Sequence, residues 1–279
     1  MRRTIARDVT VDGVALHAGV TVHMTLSPAA PGTGIVFRRS DLGNREIPAL
    51  YDKVGETRLG TVIAEGDASV GVIEHLMSAV AGAEIDDLLV TLDGPEPPIL
   101  DGDALSYLTV LERAGFRDQQ GARRAIEILK RVEVAHKDAS AALVPAGRYA
   151  FDFEIVFPSA AIGTQRMDWA FSSLAFRDDI APARTFGFMH ELDALNKAGL
   201  GRGASLENTL AIDGDNVVNA KLMRFNDEFV RHKILDAIGD MALAGAPIVG
   251  KFEGRKSGHA LNNALLRKLF GDSANYALV

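Results

Sequence analysis

The order of hydrophobic patterns along the chain is the feature that most constrains its fold. Each half begins with short segments that are rich in β-branched residues and bounded by Gly, Pro and Asp, which predicts strands; residues 57–63 form one of them. Each half ends with segments whose apolar residues recur at helical spacing. In the first half these are 71–82, which Gly82 is expected to close as a C-cap, and 103–115.

A polar segment without periodicity, 116–124, separates the two halves and is the best candidate for a linker. Beyond it the pattern starts again with strands and continues with helices that include 226–245 and 257–271. We therefore expect an α+β fold with two similar domains, residues 1–118 and 125–279, in which helices pack on β-sheets. The repeated order of elements suggests a duplication, although no residue-by-residue repeat supports it.

Composition and charge exclude several classes of protein. The chain has 279 residues and a formal net charge of −7, and because phosphate binding needs a basic surface, we expect no nucleic-acid partner. It contains no cysteine, so any metal site must use His, Asp or Glu. The N-terminus alternates β-branched and charged residues instead of carrying a secretory apolar run, and no stretch approaches about 18 uninterrupted apolar residues. These features predict a soluble, cytoplasmic protein without a membrane span.

The segment 226–245, NDEFVRHKILDAIGDMALAG, combines a buried stripe with a polar face. Its apolar side is formed by Val230, Ile234, Ala237, Ile238 and Met241. The opposite side carries His232, Asp236 and Asp240, each four residues from the next. An imidazole and a carboxylate on adjacent turns are near enough to bind one ion. A solvated polar face with a weak histidine–aspartate contact is the alternative, and the spacing alone does not exclude it.

Glu74 and His75 offer the second half of such a site. His75 lies in a predicted helix with an apolar face, where a histidine bonded to a backbone carbonyl is the structural alternative. Two histidines and one carboxylate would make a three-ligand site with an open fourth position, the form of a catalytic zinc site. A glutamate beside a ligand can take a proton from the water that attacks a carbonyl. The HExxH spacing of the zincin proteases is absent.

His259 follows Gly258 at the start of the last predicted helix, where the chain can approach a ligand closely. A histidine there can protonate a leaving amine, and Asp240, one turn beyond Asp236, can orient its protonated ring. A helix N-terminal histidine without a partner fits the same residues equally well.

Several blocks of the sequence resemble one enzyme family. They are VIEHLMSAVAG, LDGPEPPILDG, ARTFGF, NDEFVRHKILDAIGDMALAG and KSGHALNNALL, and they occur in the order typical of the UDP-3-O-acyl-N-acetylglucosamine deacetylases. These are zinc amidases that catalyse the committed step of lipid A synthesis in Gram-negative bacteria. The resemblance covers essentially the whole chain. It implies a zinc-dependent deacetylase that acts on a UDP-linked acylated amino sugar, with a monomer as the default.

Position by position, the resemblance implies a role for each candidate. The implied zinc ligands are His75, His232 and Asp236. Glu74 corresponds to the general base and His259 to the general acid, with Asp240 as the partner that tunes His259. Because a set of two histidines and one aspartate suits both metals, Zn²⁺ and Fe²⁺ each fit the site.

The resemblance also implies substrate contacts. Thr185 corresponds to a hydroxyl that helps zinc to hold the tetrahedral oxyanion, and Phe186 corresponds to a residue that packs on the sugar. Lys233 and Lys256 match basic positions near the sugar and the diphosphate. His17 matches a histidine near the substrate. The residue that stacks on uracil is not assigned.

Members of the family place their active site between two α+β domains whose helices lie between two sheets. An insert in the second domain, here near 190–220, is expected to form a hydrophobic passage for the acyl chain. Four leucines are candidates for its lining, or else belong to the plain core: Leu192, Leu195, Leu200 and Leu206. Gly60 stands where some relatives have cysteine, so no thiol can bind a second metal there.

Two other functions fit parts of the pattern. A zinc amidase on a different acylated amino sugar would differ only in the acyl passage and the nucleotide contacts. A ligand-binding relative without chemistry would need neither Glu74 nor His259. The sequence fixes neither the acyl-chain length nor the native metal.

Overall fold

The computed structural model describes all residues from 1 to 279. It contains six α-helices, at Glu74–Gly82 (α1), Leu105–Ala114 (α2), Ser173–Ala175 (α3), Leu192–Lys197 (α4), Glu228–Ala242 (α5) and His259–Phe270 (α6). Four of them, α1, α2, α5 and α6, correspond to helices predicted from apolar spacing. None of the helices has both the length and the apolar content that a membrane crossing requires.

The N-terminal half is built around a five-stranded sheet with the order β2-β3-β9-β4-β5. The strands of this half are Arg2–Ile5 (β1), Val9–Val14 (β2), Thr21–Pro28 (β3), Ile35–Arg39 (β4), Arg45–Pro48 (β5), Val54–Glu56 (β6), Val62–Glu65 (β7), Ala68–Val70 (β8), Leu88–Leu92 (β9) and Phe116–Gln119 (β10). In β3 the apolar Val22, Met24 and Leu26 alternate with more exposed residues, so one face of the sheet is buried. Strands β6, β7 and β8 form a small separate sheet.

The C-terminal half contains a second five-stranded sheet with the order β12-β13-β20-β14-β15. The strands of this half are Ile126–Ile128 (β11), Val132–His136 (β12), Ala139–Val144 (β13), Ala150–Val156 (β14), Thr164–Ala170 (β15), Phe186–Phe188 (β16), Leu210–Asp213 (β17), Asn216–Val217 (β18), Ile248–Val249 (β19), Lys251–Arg255 (β20) and Tyr276–Leu278 (β21). Phe151, Phe153 and Ile155 alternate along β14 and are buried. Strands β16, β17 and β18 form a small sheet; β17 and β18 lie within the predicted insert, and β16 directly precedes it.

The two large sheets have the same topology. In each, the last strand to enter the sheet lies at its centre, antiparallel to a neighbour from the first hairpin and parallel to a neighbour from the second. Helices α1 and α5 also occupy equivalent positions, because each precedes the central strand of its sheet. The expected α+β fold with two similar halves is confirmed. A common origin of the halves by duplication stays a prediction.

Four helices, α1, α2, α5 and α6, lie between the two large sheets. Helix α1 packs against α5 and α2; α5 packs also on β14 and β15, α6 packs on β12 and β13, and α2 packs on β2. A single cluster of buried apolar residues extends through both halves. The N-terminal ends of α1 and α6 and the middle of α5 therefore meet in the interior of the molecule.

Three local predictions were wrong or incomplete. Within 57–63 only Val62 and Ile63 belong to a strand, because Gly60, at a φ of +148°, turns the chain before β7. Gly82 is not a left-handed C-cap but the last residue of α1, where an added Cβ would lie 2.1 Å from the ring of Phe176. The lack of a side chain at Gly82 therefore lets the ring of Phe176 pack directly against α1.

The predicted linker also differs from expectation. Its first part, Phe116–Gln119, is strand β10, which pairs antiparallel with β1 through backbone hydrogen bonds while most of its side chains stay exposed. The division into domains at 1–118 and 125–279 stays a prediction.

Candidate active site

Three buried side chains from two helices form a compact triangle of ligand atoms. His75 lies in the first turn of α1, and His232 and Asp236 lie one turn apart on α5. Oδ1 of Asp236 is 3.6 Å from Nε2 of His75 and 3.3 Å from Nε2 of His232. Ligand atoms held tetrahedrally at about 2.1 Å from an ion lie about 3.4 Å apart. Two sides of the triangle therefore have the length that one tetrahedral cation requires, and all three ligand atoms lie within 4.8 Å of one another.

The protonation of the triangle also suits a metal. Nδ1 of His232 donates to the carbonyl oxygen of Ala183 at 3.1 Å, which leaves the lone pair on Nε2, the nitrogen nearest Asp236. Burial lowers the pKa of His232 to about 3, so the ring is neutral at neutral pH. Oδ1 of Asp236 is buried without a hydrogen-bond partner. An orphaned buried acceptor costs about 1–3 kcal/mol, and a cation at this point would remove that cost.

Gly239 sets the distance between the two helices that carry these residues. A Cβ added at Gly239 would lie 2.0 Å from the carbonyl oxygen of Glu74, so α1 and α5 touch at this crossing. Only glycine permits so close an approach of another backbone. The crossing brings Glu74 and His75 against the turns of α5 that carry Asp236 and Asp240. The sequence prediction did not include Gly239.

Glu74 and His259 face each other beside the triangle. Oε1 of Glu74 is 3.8 Å from Nε2 of His259. Burial raises the pKa of Glu74, although His259 and His75 oppose the shift. For His259, burial acts to lower the pKa, but Asp240 and Glu74 outweigh it and raise the pKa to about 9. The pair thus combines a carboxyl with raised proton affinity and an imidazole that is cationic at neutral pH, which suits acid–base chemistry.

Asp240 accepts hydrogen bonds from three donors, of which His259 is one. Its Oδ2 accepts from Nδ1 of His259 at 2.9 Å and from Nδ2 of Asn262 at 2.8 Å. Its Oδ1 accepts from the hydroxyl of Thr61 at 2.6 Å. The pairing of Asp240 with His259 matches the prediction from helical spacing, whereas Asn262 and Thr61 were missed. The spacing of Asn262, one turn after His259 on α6, could have predicted its role from the sequence. No feature of the sequence around Thr61 predicts its contact with Asp240.

The segment that carries Thr185 is bonded to both halves of the chain. The N–H of Thr185 donates to the carbonyl oxygen of Gly102 at 2.8 Å, and the N–H of Arg184 donates to the buried carboxylate of Glu228 at 3.0 Å. Glu228 was also missed; it is the first residue of α5, where the helix dipole favours an acidic side chain. Thr185 and Phe186 both line the cleft in front of the triangle.

The two lysines predicted to contact substrate have different surroundings. Lys233 lines the cleft, with Nζ 2.5 Å from Oδ2 of Asp236. Burial opposes ionisation of Asp236, but the ammonium of Lys233 beside it holds its pKa well below the ordinary value. Lys256 does not line the cleft, and its ammonium pairs instead with the exposed carboxylate of Asp138.

His17 lines the cleft, but both nitrogens of its ring have partners within the protein. Nδ1 accepts from the N–H of Gly201 at 3.3 Å, and Nε2 donates to the carbonyl oxygen of Leu59 at 2.9 Å. The backbone N–H of His17 donates to the buried Glu96 at 2.8 Å. In this arrangement His17 connects the loop before β7 with the predicted insert.

The triangle opens into a cleft of about 530 Å³ whose walls include the predicted insert. Leu192, Leu195 and Leu206 line it, whereas Leu200 does not. None of the four leucines belongs to the buried core, so the alternative that they are plain core residues is wrong. The cleft has room for an elongated apolar group in front of the polar triangle.

Comparison with known proteins identifies relatives along almost the whole chain. The family described as LpxC, UDP-3-O-acyl N-acetylglycosamine deacetylase, matches residues 2–271. A UDP-3-O-acyl-N-acetylglucosamine deacetylase of Phenylobacterium zucineum is 49% identical over 271 residues, which cover 96% of this chain and 92% of the relative. Proteins of the same name from Myxococcus xanthus and Aliarcobacter butzleri are 44% and 42% identical over 279 residues, which cover the whole of this chain and 89% and 92% of the relatives. The resemblance inferred from the motifs is confirmed: the chain belongs to the UDP-3-O-acyl N-acetylglycosamine deacetylase family.

Proposed function

We propose that this chain hydrolyses the N-acetyl group of a UDP-3-O-(3-hydroxyacyl)-N-acetylglucosamine and releases acetate, the committed step of lipid A biosynthesis. The names of the relatives describe this deacetylation. One observation carries the proposal for this chain: Glu74 and His259 face each other within a cleft that also contains a buried three-ligand triangle. A protein that only binds its ligand has no need of an acid and a base at that position.

His75, His232 and Asp236 would hold the metal, which we propose to be Zn²⁺; Fe²⁺ suits the same ligands. When bound, the ion supplies Lewis-acid polarisation of the amide carbonyl and makes water a stronger acid. His232 contributes a neutral nitrogen, because burial keeps its ring unprotonated. Asp236 contributes a negative charge that lowers the net charge of the occupied site.

Glu74 and His259 divide the proton transfers between them. Glu74 accepts a proton from the attacking water, and because burial raises its pKa, it is a stronger base than an exposed glutamate. His259 is protonated at neutral pH and donates to the nitrogen of the leaving amine as the C–N bond breaks. Asp240 holds Nδ1 of His259, so that Nε2 is the nitrogen directed to Glu74 and the substrate. The hydroxyl of Thr185 donates to the oxyanion.

The rest of the cleft provides substrate contacts. Phe186 packs on the sugar, and Lys233 lines the same cleft. The acyl chain follows Leu192, Leu195 and Leu206 along the insert. Lys256 reaches the diphosphate only if its exposed ammonium leaves Asp138. A UDP-sugar substrate is consistent with the expected cytoplasmic location. It has no bearing on the oligomeric state, for which a monomer stays the expectation.

The test compares acetate release from three substrates by the zinc-loaded protein: the full UDP-3-O-(3-hydroxyacyl)-N-acetylglucosamine, UDP-N-acetylglucosamine without the acyl chain, and the acylated sugar without UDP. We expect kcat/KM to be highest for the full substrate, because the apolar part of the cleft stabilises the acyl chain and the two lysines, Lys233 and Lys256, stabilise the UDP-sugar. Faster release from another acylated amino sugar would assign the chain to a different amidase reaction. Release from none of them by fully metallated protein would favour a ligand-binding relative.

A further inference from the structure

Thr61 contacts both groups that transfer protons in the proposed reaction, and also the carboxylate that holds one of them. This residue is 1% exposed and lies in the loop before β7. Its backbone N–H donates to Oε2 of Glu74 at 2.9 Å, and its hydroxyl donates to Oδ1 of Asp240 at 2.6 Å. The same hydroxyl oxygen lies 3.2 Å from Nδ1 of His259. One residue of the N-terminal half therefore reaches the base, the acid and the partner of the acid.

The loop before β7 is shaped around the Glu74 carboxylate. Gly60 adopts a φ of +148°, a conformation that residues with a side chain rarely adopt. A Cβ at Gly60 would also lie 3.0 Å from Oε1 of Glu74. The chain thus passes directly beside the carboxylate, and the turn at Gly60 directs the N–H of Thr61 towards it. This geometry gives Oε2 of Glu74 a fixed donor, while Oε1 faces His259.

The hydroxyl of Thr61 has a separate effect on Asp240. Rotation of the Asp240 carboxylate would move Oδ2 away from both His259 and Asn262, which it accepts from at 2.9 and 2.8 Å. The bond of Oδ1 to Thr61 opposes that rotation, because a short bond to a charged acceptor is among the stronger hydrogen bonds in proteins. A valine of the same shape would fill the space but leave Oδ1 of Asp240 buried without a donor.

We propose that Thr61 is a positioning residue for the deacetylation: its hydroxyl fixes the Asp240 carboxylate, and through it the ring of His259, while its N–H fixes Glu74. The inference rests on the proposed function. It adds a residue from the N-terminal half to the acid side of the site, which otherwise consists of residues from α5 and α6.

The test begins with Thr61→Val, which removes the hydroxyl and keeps the backbone N–H, and with Thr61→Ser, which restores a hydroxyl. We expect Thr61→Val to lower kcat by about 10- to 100-fold, the range typical of partners that orient a catalytic group. KM and the bound zinc should stay within about twofold, and Thr61→Ser should recover most of the lost rate. The matched control is Thr4→Val. Thr4 lies in β1, is also fully buried, and donates its hydroxyl at the same distance of 2.6 Å, but to the backbone carbonyl oxygen of Asp87.

Two further readouts separate positioning from loss of stability. In an Asp240→Ala background the effect of Thr61→Val on kcat should disappear, because a residue that acts through Asp240 has nothing left to position. In the metal-free protein, the NMR signal of the Nδ1 proton of His259 should shift in Thr61→Val and stay unchanged in Thr4→Val. A kcat for Thr61→Val equal to that of Thr4→Val, or an undiminished effect without Asp240, would overturn the inference. Wild-type protein that releases no acetate would instead refute the proposed function, and the NMR comparison would still decide whether Thr61 positions His259.

Discussion

Replacing Gly239 with alanine should disable the site although every side chain that carries chemistry is kept. The new Cβ would begin 2.0 Å from the carbonyl oxygen of Glu74, whereas an ordinary contact of this kind starts near 3.4 Å. Because the neighbour is backbone, α1 and α5 must separate by about 1.4 Å at the crossing. His75 would then move away from His232 and Asp236. Its Nε2 now lies 3.6 Å from Oδ1 of Asp236, a separation that suits two ligands of a single ion.

The expected losses follow from that displacement. A shift of about 1 Å in a reacting group can cost about 10²-fold in rate, so kcat/KM should fall by at least this factor, or about 2.7 kcal/mol of transition-state stabilisation. Zinc affinity should fall by about 10-fold or more, since the ligand separations no longer match the ion. Overpacking should also lower the free energy of unfolding by about 1–3 kcal/mol. The assays are acetate release, zinc titration against a competing chelator, and urea unfolding.

Gly82→Ala is the matched control. Its Cβ would begin 2.1 Å from the ring of Phe176, a clash of similar severity on the same helix, but seven residues or about 10 Å along α1 from His75. We expect Gly82→Ala to lose stability while zinc affinity stays within about threefold of wild type. Wild-type zinc affinity and kcat/KM in Gly239→Ala would refute the conclusion that this glycine sets the geometry of the site.

Three other changes test separate parts of the site. Glu74→Gln and His259→Gln should each lower kcat by about 10²- to 10⁴-fold while zinc content stays at the wild-type level, because neither side chain belongs to the ligand triangle; loss of zinc from either variant would contradict these roles. Because His259 must be protonated to donate and its pKa is raised to about 9, kcat/KM should fall as the pH rises through about 9, and His259→Gln should lose that alkaline limb in a pH–rate profile. Glu228→Ala should lower the free energy of unfolding by about 3–5 kcal/mol in urea denaturation, because it leaves the guanidinium of Arg184 buried without its partner; a loss below about 1 kcal/mol would show that this buried pair contributes little.

The residues that recur on one helix were predictable, and those that meet across the chain were not. The apolar stripe of α5 and the spacing of His232, Asp236 and Asp240 follow from 3.6 residues per turn. The same periodicity says nothing about which helix faces them, so the local pattern alone favoured an ordinary buried histidine at His75. Only the motifs shared with the family predicted, from the sequence, that His75 shares a site with His232 and Asp236.

Thr61 and Gly239 show why the remainder was beyond sequence reasoning. The hydroxyl of Thr61 bonds to a carboxylate 179 residues away, and no local pattern encodes that contact. Gly239 is a helix-interior glycine, which by propensity is only a mild defect; its function appears once the backbone of α1 is seen against it. The surroundings of Lys256 differ from the expectation for a related reason. Its motif gives the residue type but not the direction of its long side chain, which pairs with Asp138.

The most direct test of the central claim is a titration of the metal-free protein with Zn²⁺, with the initial rate of acetate release as the readout. We expect the rate to rise in proportion to added zinc and to stop rising at one equivalent per chain, because His75, His232 and Asp236 form a single triangle. Full activity without metal would contradict the claim that this triangle holds the catalytic ion. A rate that continues to rise to two equivalents would contradict the claim that one ion is sufficient.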